Sequence, residues 1–267
     1  MAMSASAEAR QNSVDGVLLG VAQVPDRVAD DLFAVVDALD GSPPLRRTLV
    51  DPALSVAQRR QTATVLLQGK IDPVALQVVT HAVGLTWRSG RGLADAIERQ
   101  AVRATLLTAQ KAGRLDEVEE SLFRFGRVVD ADRELRAALG NPQAPLALRQ
   151  HVVAQLLGAK APAETLTLAQ RAVKARRRTF DLTIENYLLV SAQLRRRIVA
   201  TVRVATELTA EQQARLRAAL TAQAQRPVEV QVVVDPAVVG GVRVEMGDEV
   251  IDGSVAGRLE AARRQMT

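Results

Sequence analysis

Side chains able to do chemistry are few in this chain and poorly spaced. His81 and His151 are its two histidines, and it has no cysteine. A disulfide and a thiolate metal site are therefore excluded, and isolated histidines cannot build a ligand cluster. A lone histidine on a helix reads as a surface or core-edge residue rather than a catalytic one. The acids Asp235, Glu245, Asp248, Glu249 and Asp252 gather near the end of the chain and could be drawn as a cation site. Set among alternating apolar residues and glycines, they read better as turn formers and outward strand residues. The Gly240-Gly241 step lacks the Lys-Ser/Thr pair and following helix of a phosphate-binding loop. No catalytic, cofactor-binding or metal-binding residue is assigned.

Charge and aromatic content narrow the classes further. The net charge is +5, from 35 basic and 30 acidic residues, and almost all the basic ones are arginine. Arginine runs at Lys174–Arg178 and Arg195–Arg197 keep a nucleic-acid-binding protein as the alternative function. Aromatics make up 2% of the chain and are scattered, so the stacking platform of a single-strand reader is missing. The charge is read as a solvated surface. No apolar run approaches the ~20 residues of a membrane helix, and the start, MAMSASAEARQN, lacks the pattern of a secretory signal. A cytoplasmic location is expected.

The elements that carry these residues fall into two kinds. The first two thirds repeat: shifted by 90 residues, the chain matches itself without a gap from Ala22–Arg88 to Ala112–Arg178. Identical pairs include Asp26/Asp116, Val28/Val118, Leu32/Leu122, Phe33/Phe123, Leu45/Leu135, Arg46/Arg136, Leu49/Leu139, Arg59/Arg149 and Leu66/Leu156. Each copy reads as helical. Val28, Leu32, Val35 and Leu39 form one stripe at helical spacing, and Val118, Leu122, Phe125 and Val129 form its equivalent. Phe33 and Phe123 are read as repeated core positions. Pro52 and Pro142 break helices, Ser55 and Pro145 suit the start of the next, and Gly69 and Gly158 its end. Leu93–Lys111, free of Gly and Pro, predicts a long helix between the copies.

Period-two spacing replaces this pattern in the last quarter. Val228, Val230, Val232 and Val234 alternate, as do Val242, Val244 and Met246. Ile198, Val202 and Val204 mark an earlier strand, and Thr209 with Gln212 has the pattern of a capping box for the helix carrying Leu216 and Leu220. Gly247-Asp248 reads as a turn. Asp252-Gly253-Ser254 opens a last helix, on which Val255, Leu259, Ala262 and Met266 share one face.

The order Asp235, Val238, Gly240-Gly241, Val242, Val244, Gly247-Asp248 and Ile251-Asp252-Gly253-Ser254 resembles the C-terminal signature of the delta subunit of bacterial F-type ATP synthase, equivalent to the mitochondrial oligomycin-sensitivity-conferring protein. The stretch Ala104–Leu139 looks like the start of that family's N-terminal helical domain. The extra first copy departs from a family whose usual member has one bundle. The expected fold is mainly α: helical bundles over residues 1–100 and 101–195, then a β-α-β-β-α module over 196–267. The resemblance implies a non-enzymatic peripheral-stalk subunit without a cofactor, at the cytoplasmic face of the cell membrane. Its partners would be the alpha subunits of the catalytic head and the b-type stalk subunits, with neither nucleic acid nor membrane insertion. By the same resemblance, the second bundle receives an alpha N-terminal helix between Ala101–Arg114 and Asp181–Arg195. The stalk's end meets the last helix, with Val255, Leu259 and Met266 as contact candidates.

Overall fold

The computed structural model describes residues 5–21, 23–158, 161–174, 179–195, 198–224, 228–235, 238, 240–246 and 249–252. It divides into two compact units, Met1–Ala192 and Gln193–Thr267. The first contains both repeats. The first copy supplies α1 (Ala5–Leu19), α2 (Arg27–Gly41), α3 (Pro43–Thr48), α4 (Val56–Leu67) and α5 (Pro73–Gly84). Then α6 (Gly90–Lys111) passes into the second copy, which continues as α7 (Leu115–Ala131), α8 (Arg133–Gly140), α9 (Leu146–Leu157), α10 (Ala163–Ala172) and α11 (Phe180–Arg195).

Helix limits follow local chemistry. Ser55 and Gln58 form a reciprocal capping box at the start of α4, and the Asp72 carboxylate accepts the Val74 amide ahead of Pro73 in α5. Such caps satisfy the amides that a helix start leaves without partners. Gly69 and Gly158, just past α4 and α9, take positive φ.

Both apolar stripes are buried as expected: Val28, Leu32, Val35 and Leu39 on α2, and Val118, Leu122, Phe125 and Val129 on α7. Two of the repeated arginines hold equivalent places. Arg59 Nη1 donates to the Leu85 carbonyl past the end of α5 (3.2 Å), and Arg149 Nη1 donates to the Val173 carbonyl past α10 (2.8 Å). Similarly, Arg46 pairs with Asp40 and Arg136 with Asp130.

The helix α6 crosses the expected 100/101 division and belongs to both copies. Leu93, Ala94 and Ile97 are buried in its first half, and every residue from Gln100 to Leu106 is buried in its middle. An amphipathic helix buries one face; this one is covered all round because α1, α2 and α5 pack on it as well as α7 and α10. Within that packing lies a charged cluster. Asp15 on α1 receives Arg103 Nη2 (2.5 Å), Gln100 Nε2 (2.6 Å) and Arg99 Nη2 (3.2 Å) from α6. Asp15, Gln100 and Arg103 are buried, and the hydrogen bonds to the Asp15 carboxylate tie α1 to α6.

One core expectation is corrected. Phe33 is 4% exposed, whereas its repeat partner Phe123 is 56% exposed. The reason is the neighbour rather than the residue. Arg171 on α10 lies over the Phe33 ring, 4.4 Å from its centroid, and no such cover reaches Phe123 among the described residues. On α7 the inward aromatic is Phe125, edge-on to Phe180 at 5.8 Å, and Gly126 admits Ile184 at a distance that a β-carbon would crowd.

The second unit holds a four-stranded sheet ordered β2-β1-β3-β4. Its strands are β1 (Ile198–Val204), β2 (Val228–Val234), β3 (Val242–Met246) and β4 (Glu249–Asp252), with α12 (Ala210–Ala224) between β1 and β2. The β1–β2 pair is parallel, which requires a crossover such as α12; the other pairs are antiparallel. The expected capping box starts α12: Gln212 N–H donates to Thr209 Oγ1 (3.2 Å), and Thr209 N–H donates to Gln212 Oε1 (2.8 Å). Ala200, Val202, Val204, Leu220, Val228, Val230 and Val244 form the core, flanked by Leu208, Leu216, Val232 and Val242. Val234, at the end of the alternating stripe, is exposed.

The sheet carries one more strand than expected. Met246 pairs with Glu249, leaving two residues between β3 and β4, the shortest common hairpin connection. The expected last helix lies outside the described residues.

Candidate functional site

The C-terminal signature is built around the exit from β2. Asp235 N–H donates to the Val204 carbonyl (2.8 Å), adding one rung beyond the β1–β2 pairing. Val238 N–H returns to the Asp235 carbonyl (3.0 Å), and Gly240 N–H to that of Val238 (2.9 Å). Gly240 and Gly241 follow with φ of 68° and 79°. Two consecutive left-handed residues reverse the chain here, which side chains resist and glycine allows. The reversal delivers Val242 opposite Val204 and Val244 opposite Val202. Ile251 then pairs with Val244, and Asp252 with Arg243, as backbone partners. In the described part of the signature, therefore, the glycines shape the turn and the valines pack the sheet.

Two of the acids that could be drawn as a cation site, Asp235 and Glu245, have cationic neighbours. Asp235 lies 3.8 Å from Arg203, while Glu245 receives Arg203 at 3.5 Å and Arg243 at 3.4 Å. Arg203 and Arg243 face one another in the β1–β3 register, so Glu245 offsets a like-charge contact. Among the described residues no group of three His, Cys, Asp or Glu side chains could hold a metal ion. Gly247, Asp248, Gly253 and Ser254 of the signature, and the contact candidates Val255, Leu259 and Met266, lie outside the described residues.

The histidines are far from this region and differ in setting. His81 Nε2 lies 2.9 Å from Ser13 Oγ; burial, with Arg60 nearby, holds its pKa below the usual histidine range. His151 is exposed on α9.

The position ninety residues after His81 is Arg171, and it joins the two copies. Arg171 makes a two-pronged contact with Asp37 on α2 (2.8 and 2.9 Å), and Lys174 reaches the same carboxylate at 2.5 Å. Burial alone would raise the Asp37 pKa, but the hydrogen bonds and charges of Arg171 and Lys174 outweigh it and hold the carboxyl below the usual aspartate range. Lys174, counted in sequence as part of a basic run, is thus engaged within the protein. Neither this clamp nor the Asp15 cluster has a local sequence signal, since the partners lie far apart in the chain.

The expected groove between Ala101–Arg114 and Asp181–Arg195 has one side already in use. Ala101 to Leu106 and Ala109 are buried, which leaves Leu107, Thr108, Gln110 and Lys111 among the partly or fully exposed residues of α6. Exposed apolar side chains of the second copy include Leu182 and Leu189 on α11, within the other expected side of that groove, and Phe123 and Val128 on α7 and Leu148 and Leu156 on α9, outside it. Their apolar character is readable in sequence; their exposure is not. No described helix is long and apolar enough to cross a membrane.

Comparison with known proteins bears on this architecture as a whole. Residues 97–266 match the family described as ATP synthase delta (OSCP) subunit. The ATP synthase subunit delta of Kineococcus radiotolerans is 42% identical over 263 residues, covering 98% of this chain and 95% of that protein. That of a Parafrankia species is 44% identical over 242 residues (90% and 87%), and that of Streptomyces avermitilis 43% over 241 residues (90% and 88%). These matches extend through most of the first copy, so the relatives share it. A chain of the Toxoplasma gondii mitochondrial ATP synthase hexamer is 17% identical, covering 63% of this chain and 96% of that one, at a TM-score of 0.28, too low to compare folds. The nucleic-acid alternative finds no support in these matches. With residues 97–266 matching the family and relatives above 40% identity across nearly the full length, the chain belongs to the ATP synthase delta (OSCP) subunit family.

Proposed function

We propose that this delta-type subunit, a component of the peripheral stalk of an F-type ATP synthase, links the alpha subunits of the catalytic head to the b-type stalk subunits. The observation that carries this is the family match, which spans the second helical copy and the whole C-terminal unit. The task is mechanical. Held at its crown, the catalytic hexamer cannot turn with the rotor, and proton flow is coupled to ATP synthesis. Such a task calls for distributed helix contacts rather than a reactive centre, so the chain is read as non-catalytic and cofactor-free. It acts at the cytoplasmic face of the membrane as a peripheral subunit.

In this reading the helical residues 101–195 engage an alpha N-terminal helix, and residues 196–267 engage the stalk through the last helix, with Val255, Leu259 and Met266 as contacts. Residues 1–100 form an added bundle that widens the stator surface. The Asp15 cluster and the Asp37–Arg171 clamp support its acting as one body with the second copy. The test is purification of the tagged full chain from its native membranes. Alpha and b-type subunits are expected to accompany it in stoichiometric yield; recovery without either would reject the assignment.

A further inference from the structure

We infer that the outer face of α7 around Phe123 and Arg127 is a docking site for a helix of a partner protein that brings an apolar group to the phenylalanine and a carboxylate to the arginine. This goes beyond the stator reading and does not depend on it.

The chain itself shows how such a face is used. In the first copy the equivalent residues are Phe33 and Asp37 on α2. There α10 of the second copy supplies the cover. Arg171 lies over the Phe33 ring and grips the Asp37 carboxylate with two nitrogens, and Lys174 reaches the same carboxylate. Under that cover Phe33 is 4% exposed. Tandem repeats place a face of each unit on the next, and no third copy follows the second in the sequence. The same face of α7 is left with Phe123 56% exposed.

Two differences between the copies say what fits there. Aspartate at position 37 becomes arginine at position 127, so the charge is reversed. Alanine at position 38 becomes Val128, 53% exposed, so the apolar area beside it is larger. Of the nearby charges on α7, Glu120 pairs with Arg124 and Asp130 with Arg136. Arg127, exposed, is the charge that an arriving helix meets. A helix edged like α10 is repelled by it, whereas a carboxylate can accept two parallel hydrogen bonds from its guanidinium. The phenylalanine kept in both copies is the apolar anchor.

Charge also disfavours a second copy of the chain as the occupant. Its α5 would offer His81 and Gly84 at the places equivalent to Arg171 and Lys174, with the Arg60 guanidinium packed against Gly84. That surface would set one cation against another at Arg127.

The experiment uses the full chain and two helix-stapled peptides of residues 161–174, the segment that covers the first copy. One peptide keeps Arg171 and Lys174; the other carries Arg171→Glu and Lys174→Glu. In calorimetric titration the reversed peptide is expected to bind one equivalent, and the natural one at least about tenfold more weakly. Arg127→Asp in the full chain reinstates the first copy's aspartate and should invert that order. Phe123→Ala should lower affinity for the reversed peptide at least about tenfold while melting is unchanged. Absence of binding, equal binding of the two peptides, or an order that Arg127→Asp leaves as it was overturns the inference. So does a dimer in sedimentation, or adhesion to vesicles of phosphatidylglycerol, that Arg127→Asp abolishes: the face would then serve a second copy or a lipid surface. Binding that appears only after deletion of residues 253–267 overturns it as well, because the chain's own end would then be the occupant.

Discussion

The two helical copies share a plan and differ in company. In the first, Phe33 is buried under Arg171, Asp37 is clamped by Arg171 and Lys174, and Asp15 locks α1 to α6. In the second, the equivalents of Asp15, Arg99, Gln100 and Arg103 are Thr105, Leu189, Val190 and Gln193, so that charged cluster has no counterpart. Phe123 is exposed, and apolar residues stand at Leu148 and Leu189. Duplication kept the stripes that fold each copy, while the surface around them diverged. Both copies turn some apolar side chains outward, Val65 and Leu66 in the first and Phe123 and Leu189 in the second, and what separates them is the buried charged cluster at Asp15.

That contrast can be broken most sharply at Asp15. Asp15→Ala leaves Arg103 buried with its main anion gone and is expected to cost about 3–5 kcal/mol, measured by urea unfolding. The equivalent change, Thr105→Ala, should cost about 1 kcal/mol, since the threonine hydroxyl bonds only to the Ala101 carbonyl of its own helix. Comparable losses at the two positions would contradict the asymmetry.

Next come the paired phenylalanines. Phe33→Ala is expected to destabilise by about 3 kcal/mol, whereas Phe123→Ala should stay within about 0.5 kcal/mol. Thermal melts of the two variants, compared with the parent chain, decide the point.

Smaller effects follow at the clamp. The Asp37 carboxyl titrates below its unfolded value, so the stability it contributes is complete above the ordinary aspartate pKa, about 3.9. It is lost as pH falls through the depressed folded value. Asp37 is partly exposed, and the contribution should not exceed about 1 kcal/mol. Asp37→Asn is expected to flatten the acid limb of the stability–pH curve by that much and leave neutral-pH stability slightly lowered. An unchanged acid limb would show that the clamp is not formed in solution.

How much of this was legible in the sequence depends on whether the signal was local. The stripes on α2 and α7, the helix start at Ser55 and the Thr209 capping box depend on residues a few positions apart, and all of them stand where the spacing put them. The same holds for the family signature, whose described part is a turn and its flanking strands. Phe123 departs from the expected core because identity between repeats reports a shared scaffold and is silent about what covers it. The strand β4 is hard to see in sequence because Val250 and Ile251, between the Gly-Asp turn and the expected helix start at Asp252, are too short a run to show alternation. The Asp15 cluster and the Asp37 clamp join residues more than eighty positions apart, which no periodicity reveals.

The central claim, that one chain joins the head to the stalk through separate parts, is tested most directly by purifying the enzyme from cells whose subunit lacks residues 254–267. Hydrogen exchange should first show the sheet of β1 to β4 still protected. The expected result is loss of the b-type subunits with the alpha subunits retained. Retention of both partners by a folded, truncated chain would contradict it.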